Sequence, residues 1–227
     1  MKPKDIDIGG NPISMKLMDE SYVMCEDEWK TGITVDVECR HISPRLPNPL
    51  YSVYYRRLLK AYGVGPVLVW QDKRIVGFLP VTIPNCGIPQ PPLCVHYTGG
   101  LCYGAEQHVD LAMVENAVEV PFEQLSKKEI RIGCMSVHRS MRGRNLAASM
   151  ILYVVDWARE YGWDRVSARV MMDGEPVSFY PTRSFWTRLG FKQIGPVRRF
   201  GPSGDFIDQA RGVDMELDLR ARTAGQG

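Results

Sequence analysis

The sequence predicts an α/β fold, a mixed, mainly antiparallel sheet carrying one parallel βαβ pair, and three runs predict it. Residues 129–137, "EIRIGCMSV", alternate apolar and polar side chains as a half-buried strand does. Residues 145–162, "NLAASMILYVVDWAREYG", repeat apolar positions at helical spacing through Leu146, Met150, Val154, Trp157, Ala158 and Tyr161, and Gly162 supplies the stop. Residues 165–171, "RVSARVM", are rich in β-formers again. Strand, turn, helix and strand in that order put the two strands parallel.

The other elements follow from local signals. "NPLYSVYYRRLLKAYG" reads as a helix over 50–61, with Pro49 ahead of it and Gly63 behind it. Tyr51, Tyr54 and Tyr55 recur at i, i+3 and i+4, which fits core packing, although they could also line a cleft. "VGPVLVW" and "RIVGFLPVTI", separated by "QDK", have the form of a hairpin. A short helix over 182–189 and two last runs, "FKQIGPV" and "VDMELDL", complete the sheet. One domain is expected over 1–220, with 1–49 weakly patterned, a Pro/Gly-rich insertion at 84–104 and a fraying tail at 221–227.

Composition narrows the functional classes. The 227 residues are 44% hydrophobic, which suits a globular core, and a formal charge of +2 is too balanced to mark nucleic acid as the partner. Bases gather in 131–200 and acids in 1–40, where Glu26, Asp27, Glu28, Asp36 and Glu38 would steer a cationic amine or simply form a solvated face. No apolar run reaches the length of a membrane helix and no hydrophobic signal core opens the chain, so a cytoplasmic location and no membrane partner are expected. Cys25, Cys39, Cys86, Cys94, Cys102 and Cys134 include no C-x-x-C pair. Even with His96 between Cys94 and Cys102 the spacing is wrong for structural zinc, so free thiols and no metal are expected. Gly99 and Gly104 have phosphate-loop spacing, but Ala105-Glu106 follow where Lys-Ser/Thr is required, which excludes a P-loop nucleotidase.

The stretch "SVHRSMRGRNLAASM", 136–150, places three arginines and a glycine between a strand and a helix. A helix start leaves N–H groups free, the macrodipole adds positive charge, and Gly143 allows a phosphate close to the backbone. A soluble surface turn would look similar. The run from Val137 through Arg142, Gly143, Asn145, Leu146 and Ala147, together with "FWTRLGF" at 185–191, resembles the two signature regions of the GNAT superfamily of acyl-CoA-dependent N-acetyltransferases. The first looks like that family's Q/R-x-x-G-x-G/A loop, with Ser140 at the first position and Asn145 at the second glycine. The second is similar to its F-Y-x-x-x-G-F helix end.

The resemblance implies a GNAT-like fold and acetyl-CoA or another acyl-CoA as co-substrate. It implies backbone contacts to the pantetheine arm from Met135, Ser136 and Val137. It implies diphosphate contacts from Arg142, Gly143, Arg144, Asn145, Leu146 and Ala147, with Arg139 replacing the side chain that Ser140 lacks, and it brings Trp186 beside the cofactor. The activity implied is transfer of an acetyl or related acyl group to the primary amine of a small molecule or peptide. Members of the family often pair, so a homodimer is compatible with the chain.

Trp186 stands where the family's usual acid, a tyrosine, would stand, and indole cannot donate that proton. Tyr180 is the nearest replacement. His138 and Cys134 rank behind it, His138 as a titratable group and Cys134 as an acyl carrier. The alternative is a GNAT-like module that binds acyl-CoA with little or no turnover and serves regulation or interaction. The 84–104 insertion is placed on the acceptor side.

Overall fold

In the computed structural model, which describes residues 4–8, 10, 12–17, 48–72, 74–91, 109–133, 135–175, 181–199 and 210–220, the chain builds two sheets that meet along a seam. The first contains β1 (Lys4–Asp7), β2 (Pro12–Leu17), β3 (Val67–Gln71), β4 (Arg74–Leu79) and β7 (Ser136–Val137) in the order β1-β2-β3-β4-β7, every neighbouring pair antiparallel. The second runs β10-β11-β8-β6-β5, where β5 is Val81–Thr82, β6 Glu129–Ile132, β8 Arg165–Met171, β10 Arg198–Arg199 and β11 Arg211–Asp218. A short β9 (Lys192–Gln193) also pairs with β11. The expected parallel pair is β6 with β8, in register from Glu129–Arg165 to Ile132–Ala168.

Two runs expected as single strands are each split by the seam. The stretch 129–137 divides into β6 and β7, and "RIVGFLPVTI" divides into β4 and β5. Between the pairs Phe78–Ser136 and Val81–Ile132, one chain inserts Leu79 and Pro80 while the other inserts residues 133–135. That surplus residue is a β-bulge, and Pro80 has no N–H with which to continue the ladder. The Gly133 N–H donates to the Pro80 carbonyl at 2.8 Å and ties the two halves together.

Four helices complete the described chain: α1 (Asn48–Tyr62), α2 (Leu111–Glu115), α3 (Leu146–Glu160) and α4 (Arg183–Arg188). α3 packs on β4 and β8, so it buries more than one stripe. Ile151, Tyr153 and Val155 join the expected Leu146, Met150, Val154, Trp157 and Ala158 in the core. Tyr161, expected in that stripe, is 50% exposed and stacks on Trp157 instead, because it sits where the helix ends. Trp163 N–H returns to the Ala158 carbonyl at 2.9 Å and Gly162 N–H to Arg159, the C-terminal closure that Gly162 signalled. A Cβ on Gly77 would lie 2.9 Å from Val69 Cγ2 and 3.1 Å from Met150 Sδ, so the bare glycine lets α3 lie down on β4. Burial pushes the Tyr153 hydroxyl up to about 12, and the ring reaches the Leu17 backbone, linking α3 to β2.

α1 carries two polar residues that fasten the chain beyond β5. Arg57 donates to the carbonyls of Val114, Glu115 and Ala117 at the end of α2 and to the Glu119 carboxylate at 2.7 Å. Tyr62 Oη reaches the carbonyls of Cys86 at 3.0 Å and Val120 at 2.5 Å. Burial is the main cause that raises this tyrosine to about 12. Tyr54 and Tyr55 are core residues, 0% and 1% exposed. Cys86, the one cysteine among the described residues, is buried with a free thiol. The other five cysteines, His96, residues 92–104 of the insertion and the 221–227 tail lie outside the described residues.

Candidate functional site

The site grows from the point where the two sheets part. Past Ile132–Ala168, β8 continues beside β11 in the second sheet, while 136–137 lies beside β4 in the first. A gap therefore opens between β7 and the end of β8. His138 N–H donates to the Val76 carbonyl at 2.8 Å, and amide directions alternate along an antiparallel strand. The Val137 N–H accordingly faces away from β4, into the gap. The Val137 carbonyl accepts from Arg142 Nε at 3.4 Å. Met135 is half-buried against the core; of Ser136 only the backbone is described.

Beyond β7 the chain makes a 3₁₀ turn, Arg139–Met141, anchored by Met141 at 1% exposure. Residues 142–145 then lie exposed in a turn with two left-handed residues, Gly143 at φ 72° and Asn145 at φ 61°. A Cβ on Gly143 would meet no atom within 4 Å, so the backbone angle selects glycine there and the space above it is open. Asn145 is the N-cap of α3, yet its side chain makes no capping bond; its carbonyl alone takes the Ser149 N–H at 3.0 Å. The first amides of α3, from Leu146 and Ala147 onward, are thus left without a side-chain cap, an arrangement that suits an anion. Leu146 offers only its backbone, since its side chain is 1% exposed. Arg142 and Arg144 are exposed beside them, and the side chain of Arg139 lies outside the described residues.

His138 Nδ1 lies 2.7 Å from Ser140 Oγ and accepts the Ser140 N–H at 3.3 Å. A backbone N–H can only donate, so the Nδ1 lone pair is committed to Ser140 and the neutral ring carries its proton on Nε2. Sequence reasoning did not foresee this pairing.

Trp186 is 3% exposed, edge-on to Phe191 at 4.9 Å and to Phe185 at 6.1 Å, and packs with the core. Asp173, past the end of β8, accepts the Ser184 N–H at 3.1 Å and pairs with Arg183 at 3.4 Å, capping α4 from eleven residues upstream. Hydrogen bonds from Thr182 and then Ser184 hold its carboxyl well below the usual carboxylate range. Tyr180 and Cys134 lie outside the described residues. Among the described residues no group of three or more His, Cys, Asp or Glu side chains is arranged to hold a metal, and no helix is long and apolar enough to cross a bilayer.

Comparison with known proteins agrees with this architecture. The sequence model described as the acetyltransferase (GNAT) family matches residues 37–191. No curated protein matches the chain. Among solved structures, the fold is similar to that of Mycobacterium smegmatis RimJ in complex with CoA-disulfide, with a TM-score of 0.58 and 12% identity over 99% of this chain and 90% of that one. It is also similar to yncA from Salmonella typhimurium, solved with acetyl-CoA, with a TM-score of 0.53 and 11% identity over 91% and 94% of the two chains. A GNAT-like decarboxylase, GphF, in complex with isobutyryl-CoA gives 0.55 and 15% over 91% and 99%. At these identities the likeness is one of fold, and the family match covers most of the chain: the protein belongs to the GNAT acetyltransferase family.

Proposed function

We propose that the protein transfers an acetyl or related acyl group from its CoA thioester to a primary amine. The observation that carries this is the uncapped start of α3, reached through the left-handed turn at Gly143 and Asn145 directly after a strand whose Val137 N–H faces the gap between the sheets. In this reading the amides of 143–147 and the guanidinium groups of Arg142 and Arg144 hold the diphosphate. Residues 135–137 hold the pantetheine arm. Arg142 then exchanges the Val137 carbonyl for phosphate, which frees that carbonyl for the arm.

The same motif read two residues later has Arg142 first and Ala147 last, as the family pattern asks, with Asn145 in place of its glycine. Arg139 need not stand in for Ser140. Trp186 supports α4 from the core and has no contact role in this reading.

The incoming amine must be neutral, and with an ordinary pKa near ~10.4 only about one in a thousand is so at pH 7, so a base or a water relay is required. His138 Nδ1 is engaged by Ser140 and is assigned no step here. Tyr180 remains our candidate for the acid that protonates the leaving thiolate. The Val137 N–H is the donor we assign to the carbonyl oxygen as charge builds there, a role worth about 3 kcal/mol where such donors have been removed.

Titration calorimetry with acetyl-CoA, followed by CoA release across an amine panel, tests this reading. Saturable, amine-dependent release that falls at least tenfold in Tyr180→Phe supports it; binding without release for any amine defeats it. That second outcome is what a non-catalytic acyl-CoA-binding module gives. One observation favours the module: the position of the family's tyrosine is held by an indole that is 3% exposed.

A further inference from the structure

At the far edge of the second sheet, Ile194 and Val197 are 55% and 41% exposed. Register explains why. β9 pairs Gln193 with Met215 and β10 pairs Arg198 with Gly212, so residues 194–197 occupy a length that Val213 and Asp214 span on β11. The excess is expelled from the sheet edge as a knob. Its base is fixed: Ile194 N–H donates to the Asp214 carbonyl at 3.0 Å, and Gln193 Nε2 to the Gly195 carbonyl at 2.8 Å. Arg188, Lys192, Arg198 and Arg199 are exposed on the same segment, and the side chain of none is hydrogen-bonded or ion-paired to another described residue. The nearby Arg183 and Arg211 are, by contrast, paired with Asp173 and Glu175. Charge alone would protect a sheet edge from unwanted pairing; charge around two exposed aliphatic side chains also has the apolar centre and polar rim of a contact patch.

The opposite edge of the molecule offers the complement. A shallow cleft of about 420 Å³ beside β1 has Asp5, Asp7, Asp72, Ser14, Trp70 and Pro12 in its wall together with Ile6 and Ile13, and among the described residues that line it none is basic. Strand register sets Asp5, Ser14 and Trp70 in one row across the sheet. Lys16 Nζ lies 5.5 Å from the Trp70 ring centre, so that indole already accepts a cation over its face.

We propose that the basic knob of one copy of this chain docks in the acidic cleft of a second copy, head to tail. The Arg198 and Arg199 guanidinium groups meet the three carboxylates, and Ile194 and Val197 cover Trp70 and Pro12. Two different patches form the contact, so each assembly keeps a free knob at one end and a free cleft at the other. Association therefore grows with concentration, and salt weakens it.

Sedimentation velocity over about a hundredfold range of protein concentration, at about 0.05 M and about 0.5 M salt, reads the mass directly. The wild-type protein should grow beyond a dimer at low salt and return toward monomer at high salt. Asp5→Lys/Asp7→Lys and Arg198→Glu/Arg199→Glu should each remain monomeric, and an equimolar mixture of the two should associate again, because each then carries the other's complement. That restoration also shows that both variants are folded. A wild-type protein that is monomeric throughout overturns the proposal. So does association that both variants retain, or a mixture that stays monomeric although each variant melts cooperatively.

Discussion

Gly133 donates its N–H to the carbonyl of Pro80 at 2.8 Å, at the point where the strand pairing passes from one sheet to the other. On the β7 side of it, Val137 is carried away from β8, and the gap in which its amide stands begins there.

The turn at Gly143 should be sensitive to a methyl group through backbone angle rather than through space. Gly143→Ala forces a Cβ into the left-handed region, at a cost of about 1–2 kcal/mol, although nothing obstructs the atom itself. A melting point lowered by a few degrees, with acetyl-CoA affinity reduced by more than the melting shift accounts for, is the expected pair of results. Asn145→Gly should raise the melting point slightly and keep the affinity.

Trp186 separates a packing role from a contact role. Trp186→Ala should cost about 3–5 kcal/mol in denaturant unfolding, as removal of a buried aromatic does. Trp186→Phe should fold and bind acetyl-CoA with unchanged affinity. A large loss of affinity in the phenylalanine variant, with stability intact, would return the indole to the cofactor site.

Arg57 fastens the end of α2 through three carbonyls and a carboxylate. Arg57→Met leaves those acceptors without their donor and should cost about 1–3 kcal/mol. Hydrogen exchange should then quicken over 111–120 while α3 stays protected, because that segment owes its place to α1.

Asp173 predicts a pH dependence with a definite sign. Its folded pKa is depressed, so its contribution is present in full above the unfolded carboxylate value of about 4 and is lost as pH falls through the folded value. The stability gap between wild type and Asp173→Asn should be constant from pH 5 to 7 and close on further acidification. The gap should be small, because the group is well exposed and screened by solvent.

How much of this was readable in the chain depends on how local each signal is. The helix at 146–160, the strand at 165–171 and the stop at Gly162 rest on periodicity and caps within the segment itself, and all three appear where their residues predict. The seam was not readable, because the split of 129–137 depends on counting residues against Leu79 and Pro80, some fifty positions away. Asp173 as the cap of α4 is hidden for the same reason: its partner amide belongs to Ser184, across a turn. The β1–β2 hairpin had a signal that went unused, "IDIGGNPISM", with glycines between two alternating runs. α2 had one too, Asp110 ahead of Leu111, where the carboxylate accepts the Met113 N–H at 2.8 Å. At the candidate site, the left-handed angle of Asn145 fits a residue that tolerates such angles. The core position of Trp186 depended on Phe185 and Phe191 closing around it, which spacing alone does not convey.

Gly77 finally gives the proposed grip its scale. With Val69 on one side and Met150 on the other, the height of α3 above β4 is fixed by a methyl group that is absent. The helix mouth at Leu146 and the strand tip at Val137 are two jaws of one caliper, and position 77 is its spacer. Gly77 is also the cross-strand partner of Val137, so a single carbon added there would press on the strand that carries one jaw while lifting the helix that carries the other, and the spacing of the proposed grip would change from beneath.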